Sequence, residues 1–242
     1  MLDCFVPDWP CPANVRALQT TRRGGVSQPP WHGGNLGTHV GDDPAAVQAN
    51  RAALRSRLPA EPLWLEQVHG IVAVDPEKWA KTKVADASVS HTPGVVCAIM
   101  TADCLPVLFC DRGGSVVAAA HAGWRGLQAG VLENTVKAMQ CPPSDVLAWL
   151  GPAIGPEAFE VGDEVRAAFT ALDPGAAEAF LAYGPGKWLC NLYWLARRRL
   201  AKVGVTTISG GDCCTFKDSA RFFSYRRDGV TGRQASLIWL AT

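Results

Sequence analysis

Three side chains with metal-binding or nucleophilic chemistry, His69, Cys104 and His121, each close a short apolar run. His69 ends Trp64-Leu65-Glu66-Gln67-Val68, Cys104 follows the run Val95 to Ile99, and His121 follows Ser115 to Ala120. Valine-rich runs bounded by glycine or proline read as interior strands. Side chains at strand ends are the ones an α/β sheet presents to a ligand. Two imidazoles and one thiolate so placed make a three-ligand zinc site with one open position, the catalytic type. Zinc brings the pKa of its water to about 7, so hydroxide is available at neutral pH. Taken singly, each residue has a plainer explanation. A cysteine after a strand is commonly a small core residue, a histidine before Ala-Gly a capping residue, and the spacing is not that of a compact zinc finger.

Neighbouring residues extend the chemistry. Asp103, beside Cys104, can serve as acid or base or orient a water, or simply cap the turn. Arg125 lies just past His121, where a helix begins, and is the first candidate for an anion contact. Arg22 and Arg226 are further candidates, with a surface ion pair as the alternative for each. Gln67 and Asn35 are candidates for contact with substrate or support of the ligands. Trp124 and Tyr225 are the aromatic candidates for stacking on a base.

The words around these residues carry a resemblance. Gln67-Val68-His69-Gly70, Thr101-Ala102-Asp103-Cys104-Leu105-Pro106 and His121-Ala122-Gly123-Trp124-Arg125-Gly126 resemble the signature blocks of the YfiH-like family. That family is also called the laccase-domain or polyphenol-oxidase family. Thr20 to Ser27, Asn35-Leu36-Gly37, Val40 to Asp43, Asn50-Arg51, Phe223 to Gly229 and Thr231 to Gln234 match as well, so the resemblance runs nearly end to end. It implies that His69, Cys104 and His121 bind zinc or copper. It implies phosphorolysis of adenosine, inosine and methylthioadenosine to base plus ribose 1-phosphate, and deamination of adenosine. For the fold it implies layered mixed β-sheets with helices packed outside, similar to the cytotoxic-necrotizing-factor type of cysteine hydrolase. That likeness leaves a cysteine-dependent amidase or peptidoglycan-editing hydrolase, with Cys104 as nucleophile and His121 as base, as an alternative. The older name suggests a copper polyphenol oxidase. A multicopper site would consume about twice the five histidines present, largely in His-x-His pairs that are absent. A metal-binding protein without catalysis is the third possibility.

Composition sets outer limits. At 242 residues with 48% hydrophobic content, and with no linker or charge block to divide it, the chain reads as a single domain, 1–242. A net charge of +1 gives no electrostatic footprint for nucleic acid. The N-terminal stretch lacks the basic, then apolar, pattern of a signal peptide. No apolar run has the length of a membrane helix. Nine cysteines, including adjacent Cys213 and Cys214, make poor disulfide material and point to reduced thiols in the cytoplasm. Composition thus points to neither nucleic acid nor membrane as a partner, and the resemblance implies small molecules, a purine nucleoside and phosphate.

The elements that must position the site follow from periodicity and punctuation. Strands are expected over 15–20, 63–66, 71–75, 95–100, 105–110, 115–120, 146–150, 205–209, 221–224 and 235–240. Helices are expected from Pro44 to Leu58, and over 127–139, 162–169, 176–181 and 189–203. Glycine- and proline-rich loops fill 22–34, the segment 76–93 is polar and irregular with a possible strand start at Ala85-Asp86-Ala87, and Arg197-Arg198-Arg199 reads as a solvated last turn. Mixed strands and helices of this kind give an α/β or α+β domain.

Overall fold

The computed structural model describes residues 2–76 and 83–242. In chain order its elements are β1 (Cys4–Phe5), β2 (Val15–Thr20), α1 (Pro44–Arg55), β3 (Ala73–Val74), β4 (Ala87–Ser90), β5 (Cys97–Thr101), β6 (Leu105–Asp111) and β7 (Val117–Ala122). There follow α2 (Trp124–Ala129), α3 (Val131–Ala138), β8 (Val146–Leu150), β9 (Glu160–Gly162), α4 (Asp163–Leu172), β10 (Phe180–Gly184), β11 (Lys187–Cys190), α5 (Leu192–Lys202), β12 (Thr207–Gly210), α6 (Tyr225–Asp228) and β13 (Gln234–Leu240).

Alternation along the strands explains the layering. On β6, Val107 and Phe109 face the same core as Leu127, Val131 and Leu132 of the α2–α3 region and Leu195 of α5. Leu108 and Cys110 face the opposite way, toward Ile99 of β5, Ile238 of β13 and Val15 of β2. The far side of those strands, Ala98, Met100 and Leu237, packs on Leu54 of α1. A strand with both faces covered has no polar side, which is why β5, β6 and β7 are buried throughout. The result is four layers: α1, a four-stranded sheet in the order β1-β2-β13-β5, a six-stranded sheet in the order β12-β8-β6-β7-β4-β3, and helices outside. A small third sheet, β10-β11-β9, stands apart. Most pairings are antiparallel, with β12–β8 and β3–β4 parallel, so the sheets are mixed as expected.

Several elements differ from the sequence reading. The 127–139 helix begins earlier and is broken at Gly130, whose φ of 107° ends α2 in the left-handed region that glycine enters at little cost. Segment 221–224 forms no strand, although Phe222, Phe223 and Ser224 are buried; Ser224 instead caps α6 by accepting from the Arg227 amide. The 63–66 run makes only isolated bridges, and 71–75 shrinks to Ala73–Val74. Ala176–Leu181 is a 3-10 turn followed by β10, and the last long helix starts at Leu192 because Asn191 caps it. Within the stretch 76–93 the strand start offered at Ala85-Asp86-Ala87 is present as the buried strand β4, with 77–82 outside the described residues. The Arg197–Arg199 run is anchored: Arg197 donates to the carbonyls of Ile208 and Gly210, Arg198 pairs with Asp173, and Arg199 with Glu133. No helix among the described residues is long and apolar enough to cross a membrane.

Candidate functional site

The chain passes from one large sheet to the other between β5 and β6, and Cys104 sits in that turn. Asp103 holds the turn with a φ of 92°. Its carboxylate accepts from Thr215 Oγ1 at 2.6 Å, Ser224 Oγ at 3.0 Å and the Arg226 amide at 2.7 Å. His121 is the penultimate residue of β7, so its side chain shares the parity of Val117 and Ala119 and points into the seam between the sheets.

Asp86, immediately before β4, joins the two histidines. Its Oδ1 receives the Nδ1 proton of His121 at 2.8 Å, which leaves His121 Nε2 as the free ligating atom. The same carboxylate accepts backbone amides from Val68, His69 and Gly70 at 3.2, 2.9 and 2.6 Å. Those bonds hold the loop in which His69 takes a left-handed φ of 60°. One buried anion therefore orients one imidazole directly and the other through its backbone.

The ligating atoms of His69, Cys104 and His121 all lie within 4.8 Å of one another. His69 Nε2 stands 3.7 Å from Cys104 Sγ. Tetrahedral zinc with ordinary bond lengths would place such atoms about 3.6 Å apart. Gly123 keeps the space beside them clear: a Cβ there would lie 2.7 Å from His69 Cδ2 and 3.0 Å from Cys104 Sγ. A soft thiolate, two imidazoles, a carboxylate behind one of them and a side-chain-free flank all fit a zinc or copper ion.

The electrostatics agree with a ligand set. Burial pushes the Cys104 thiol up, but the His121 and His69 imidazoles outweigh it and bring the pKa to about 6. Burial pushes His121 down, and the Cys104 thiolate and Asp86 carboxylate outweigh that and raise it to about 9. Asp86, although desolvated, is held below the usual carboxylate range by His121 and by the Gly70 and Val68 amides.

Two cavities meet at this point. The larger, of about 840 Å³, is lined by Arg51, Trp64, Gln67, Thr101 and Arg233 among others. The smaller, of about 270 Å³, is lined by Trp124, Arg125, Ile154, Phe159 and Arg226. His69, Ala102, Cys104 and Tyr225 belong to both.

The residues singled out from sequence fall into three groups. Arg125, stacked on Trp124 at 4.4 Å, and Arg226, donating to the Glu160 carbonyl, line the smaller cavity with Asp103. Gln67 lines the larger one, its amide paired in both directions with the Met100 backbone. Asn35 and Arg22 line neither. Asn35 is fully buried, bonded to Gly37, Asp42 and the Arg233 amide. Arg22 stands in a separate depression, 3.7 Å from Asp228 and over the Phe223 ring. Sequence reading missed Asp86, Arg51 and Arg233 as site residues. A carboxylate between two alanines at the head of an apolar stretch was the available signal for Asp86, since a buried charge needs a partner.

A thiol and two imidazoles converging where the chain crosses between two packed sheets, beside a divided cavity, define an α/β protein with a group that could hold a metal ion next to space for small molecules. The chain belongs to the family described as multi-copper polyphenol oxidoreductase laccase, which it matches over residues 16–241. It is 59% identical to a Pseudomonas aeruginosa protein named purine nucleoside phosphorylase PA4543, over 98% of each chain. It is 58% identical to the Escherichia coli purine nucleoside phosphorylase YfiH, covering 99% of this chain and 100% of that one. The crystal structure of Neisseria meningitidis protein NMB0706 superposes with a TM-score of 0.95 at 55% identity, over 99% of each chain. That of YlmD from Geobacillus stearothermophilus gives 0.87 at 33% identity, over 95% of this chain and 93% of that one.

Proposed function

We propose that the chain is a single-domain, metal-dependent purine nucleoside enzyme of the cytoplasm. It splits adenosine, inosine and methylthioadenosine with phosphate into base and ribose 1-phosphate, and deaminates adenosine. Zinc is the preferred occupant of the site and copper the alternative. The observation that carries this reading is the convergence of His69, Cys104 and His121 at the junction of two cavities. The names of the near-full-length relatives at 58–59% identity support it independently.

Phosphorolysis needs two small molecules held against each other, and positioning alone can supply much of the rate. A divided cavity offers a place for each. When bound, the metal supplies a Lewis acid at the junction and can lower the pKa of a water there. The chain's own residues do the rest. Trp124, Phe159 and Tyr225 offer flat surface to a purine. Arg125 and Arg226 on one side, and Arg51 and Arg233 on the other, offer anion contacts. Asp103 would have to release three donors before it could move a proton, so its part is to hold the Cys104 turn. The five histidines and the single His/Cys/Asp/Glu cluster among the described residues do not supply the ligands of a multicopper oxidase.

The same geometry supports one other reading. Cys104, His121 and Asp86 stand in the order nucleophile, base and orienting carboxylate, as in a thiol hydrolase. The experiment that separates the two is a mass-resolved incubation with adenosine, with and without phosphate, before and after metal removal and zinc restoration. We expect adenine with ribose 1-phosphate, some inosine, and loss and recovery with the metal. Full turnover in verified metal-free protein, abolished by alkylating Cys104, would establish the nucleophile.

A further inference from the structure

Arg51 and Arg233 are 182 positions apart in sequence, yet both line the larger cavity, and among the described residues neither makes an ion pair. Four other partly buried arginines do meet a carboxylate, Arg198 and Arg199 facing Asp173 and Glu133, and Arg22 and Arg227 facing Asp228; Arg55 and Arg197 instead donate to backbone carbonyls, and none of these lines the larger cavity. A guanidinium drawn out of water without a counter-charge is costly, unless an anionic ligand completes it. Burial lowers both arginines below their ordinary pKa, and together they help to push His39, which lines the same cavity, below its own.

The hydrogen bonds show which donors are left. Arg233 spends Nη1 on the carbonyls of Thr231 and Gly232, each at 3.0 Å. Its Nε–Nη2 edge, the side that pairs with two oxygens at once, has no protein partner among the described residues. Arg51 spends Nε on the Leu36 carbonyl at 2.9 Å and has its guanidinium carbon 4.2 Å from the centre of the Trp64 ring, while Nη2 reaches only the Met100 sulfur at 3.9 Å.

One loop sets both. The Asn35 side chain accepts the Arg233 amide at 2.9 Å, and Leu36 donates its amide to the Arg233 carbonyl at 3.1 Å while its own carbonyl takes Arg51. A Cβ on Gly37 would come within 2.9 Å of Arg233 Cγ, so only glycine leaves room for the stem. Asn35 is thus a positioning residue that acts through Arg233.

We infer that Arg51 and Arg233 form the phosphate subsite, so that inorganic phosphate enters the larger cavity and the purine takes the smaller, aromatic one. This rests on the phosphorolysis reading for its role, but not for the existence of the anion site. Glu66 also lines the larger cavity and Glu61 acts on Arg51 from beside Trp64, and neither comes within ion-pair distance of the clamp.

The test is calorimetric titration of inorganic phosphate into the zinc-loaded protein, with steady-state phosphorolysis at varied phosphate and saturating inosine. It is run on wild type, Arg233→Met, Arg233→Lys, Arg51→Met and Arg125→Met, each checked for zinc content. Arg233→Met should weaken phosphate binding and raise its KM by about 10- to 100-fold, with the KM for inosine within about twofold of wild type. Arg51→Met should follow it, and Arg233→Lys should fall between, because it keeps the charge and loses the bidentate edge; if Arg233→Met does not fold, this variant decides. Unchanged phosphate affinity in a zinc-replete Arg233 variant overturns the assignment, as does a loss confined to Arg125→Met or a wild-type protein that binds no phosphate. Phosphate bound through Arg233 without any ribose 1-phosphate formed would keep the subsite and remove the phosphorolysis reading instead.

Discussion

Two buried aspartates flank the ligand set, and they are used in opposite ways. Asp86 spends its charge on the site: Oδ1 accepts from His121 and the His69 amide, and Oδ2 from the Val68 and Gly70 amides that shape the same loop. Asp103 turns away from it, gathering Thr215, Ser224 and the Arg226 amide and so tying the segment that carries Tyr225 to the Cys104 turn. Adjacency in sequence favoured Asp103, and the structure gives the direct contact with a ligand to Asp86. A carboxylate that tunes a ligand must face its far nitrogen, which the next residue along the chain cannot do.

Substitution sharpens the contrast. Asp86→Asn keeps the shape and removes the charge, so metal affinity should fall about 10- to 100-fold, with activity following occupancy. Denaturant unfolding should show a loss of about 3 kcal/mol, because three amides and an imidazolium lose their anion. Metal affinity unchanged in this variant would break the comparison. A pH series is the next largest effect. In metal-free protein His121 holds a proton up to about 9, and it must give that proton up to bind metal. Affinity should therefore fall by up to about tenfold per pH unit as pH drops below 9, and more steeply below 6, where the Cys104 thiolate is also protonated. Asp86→Asn should move the upper break downward, and Asp103→Asn should leave it in place.

Asp103→Asn should cost about 2 kcal/mol of stability with metal content intact, and any kinetic change should appear in KM, through the Tyr225 segment. Loss of metal here at unchanged stability would mean that the two aspartates do not differ as described. The smallest effect is expected at Cys213. Burial and the Asp212 charge raise its thiol to about 11, and it lines none of the cavities at the site. Cys213→Ser should turn over purine nucleosides within about twofold of wild type, the ordinary scatter of a surface change.

Much of the positioning framework was legible because it obeys local rules. β5, β6 and β7 are short, largely apolar runs between turn residues, and Asp43 caps α1 ahead of Pro44 as its sequence predicts. The convergence of His69, Cys104 and His121 followed from three strand ends read together with the family words. The missed features depend on chain crossings that no window of sequence contains. Asp86 was legible only as part of a possible strand start in a polar stretch, and its partners lie 16–18 residues before it and 35 after. Arg51 and Arg233 meet only through the Asn35 loop. The run 221–224 reads as a strand in sequence, and Phe222 and Phe223 are indeed fully buried, but the Gln234 side chain, not a strand partner, takes up the Phe223 backbone.

The order β1-β2-β13-β5 puts the last strand of the chain inside its sheet, between two partners made long before it. During synthesis β2 and β5 leave the ribosome as unpaired edges, able to recruit one another's neighbours until residues 234–240 arrive to close the gap. Arg233 immediately precedes that strand. The nascent protein therefore gains its second cavity arginine together with the strand that makes this sheet whole.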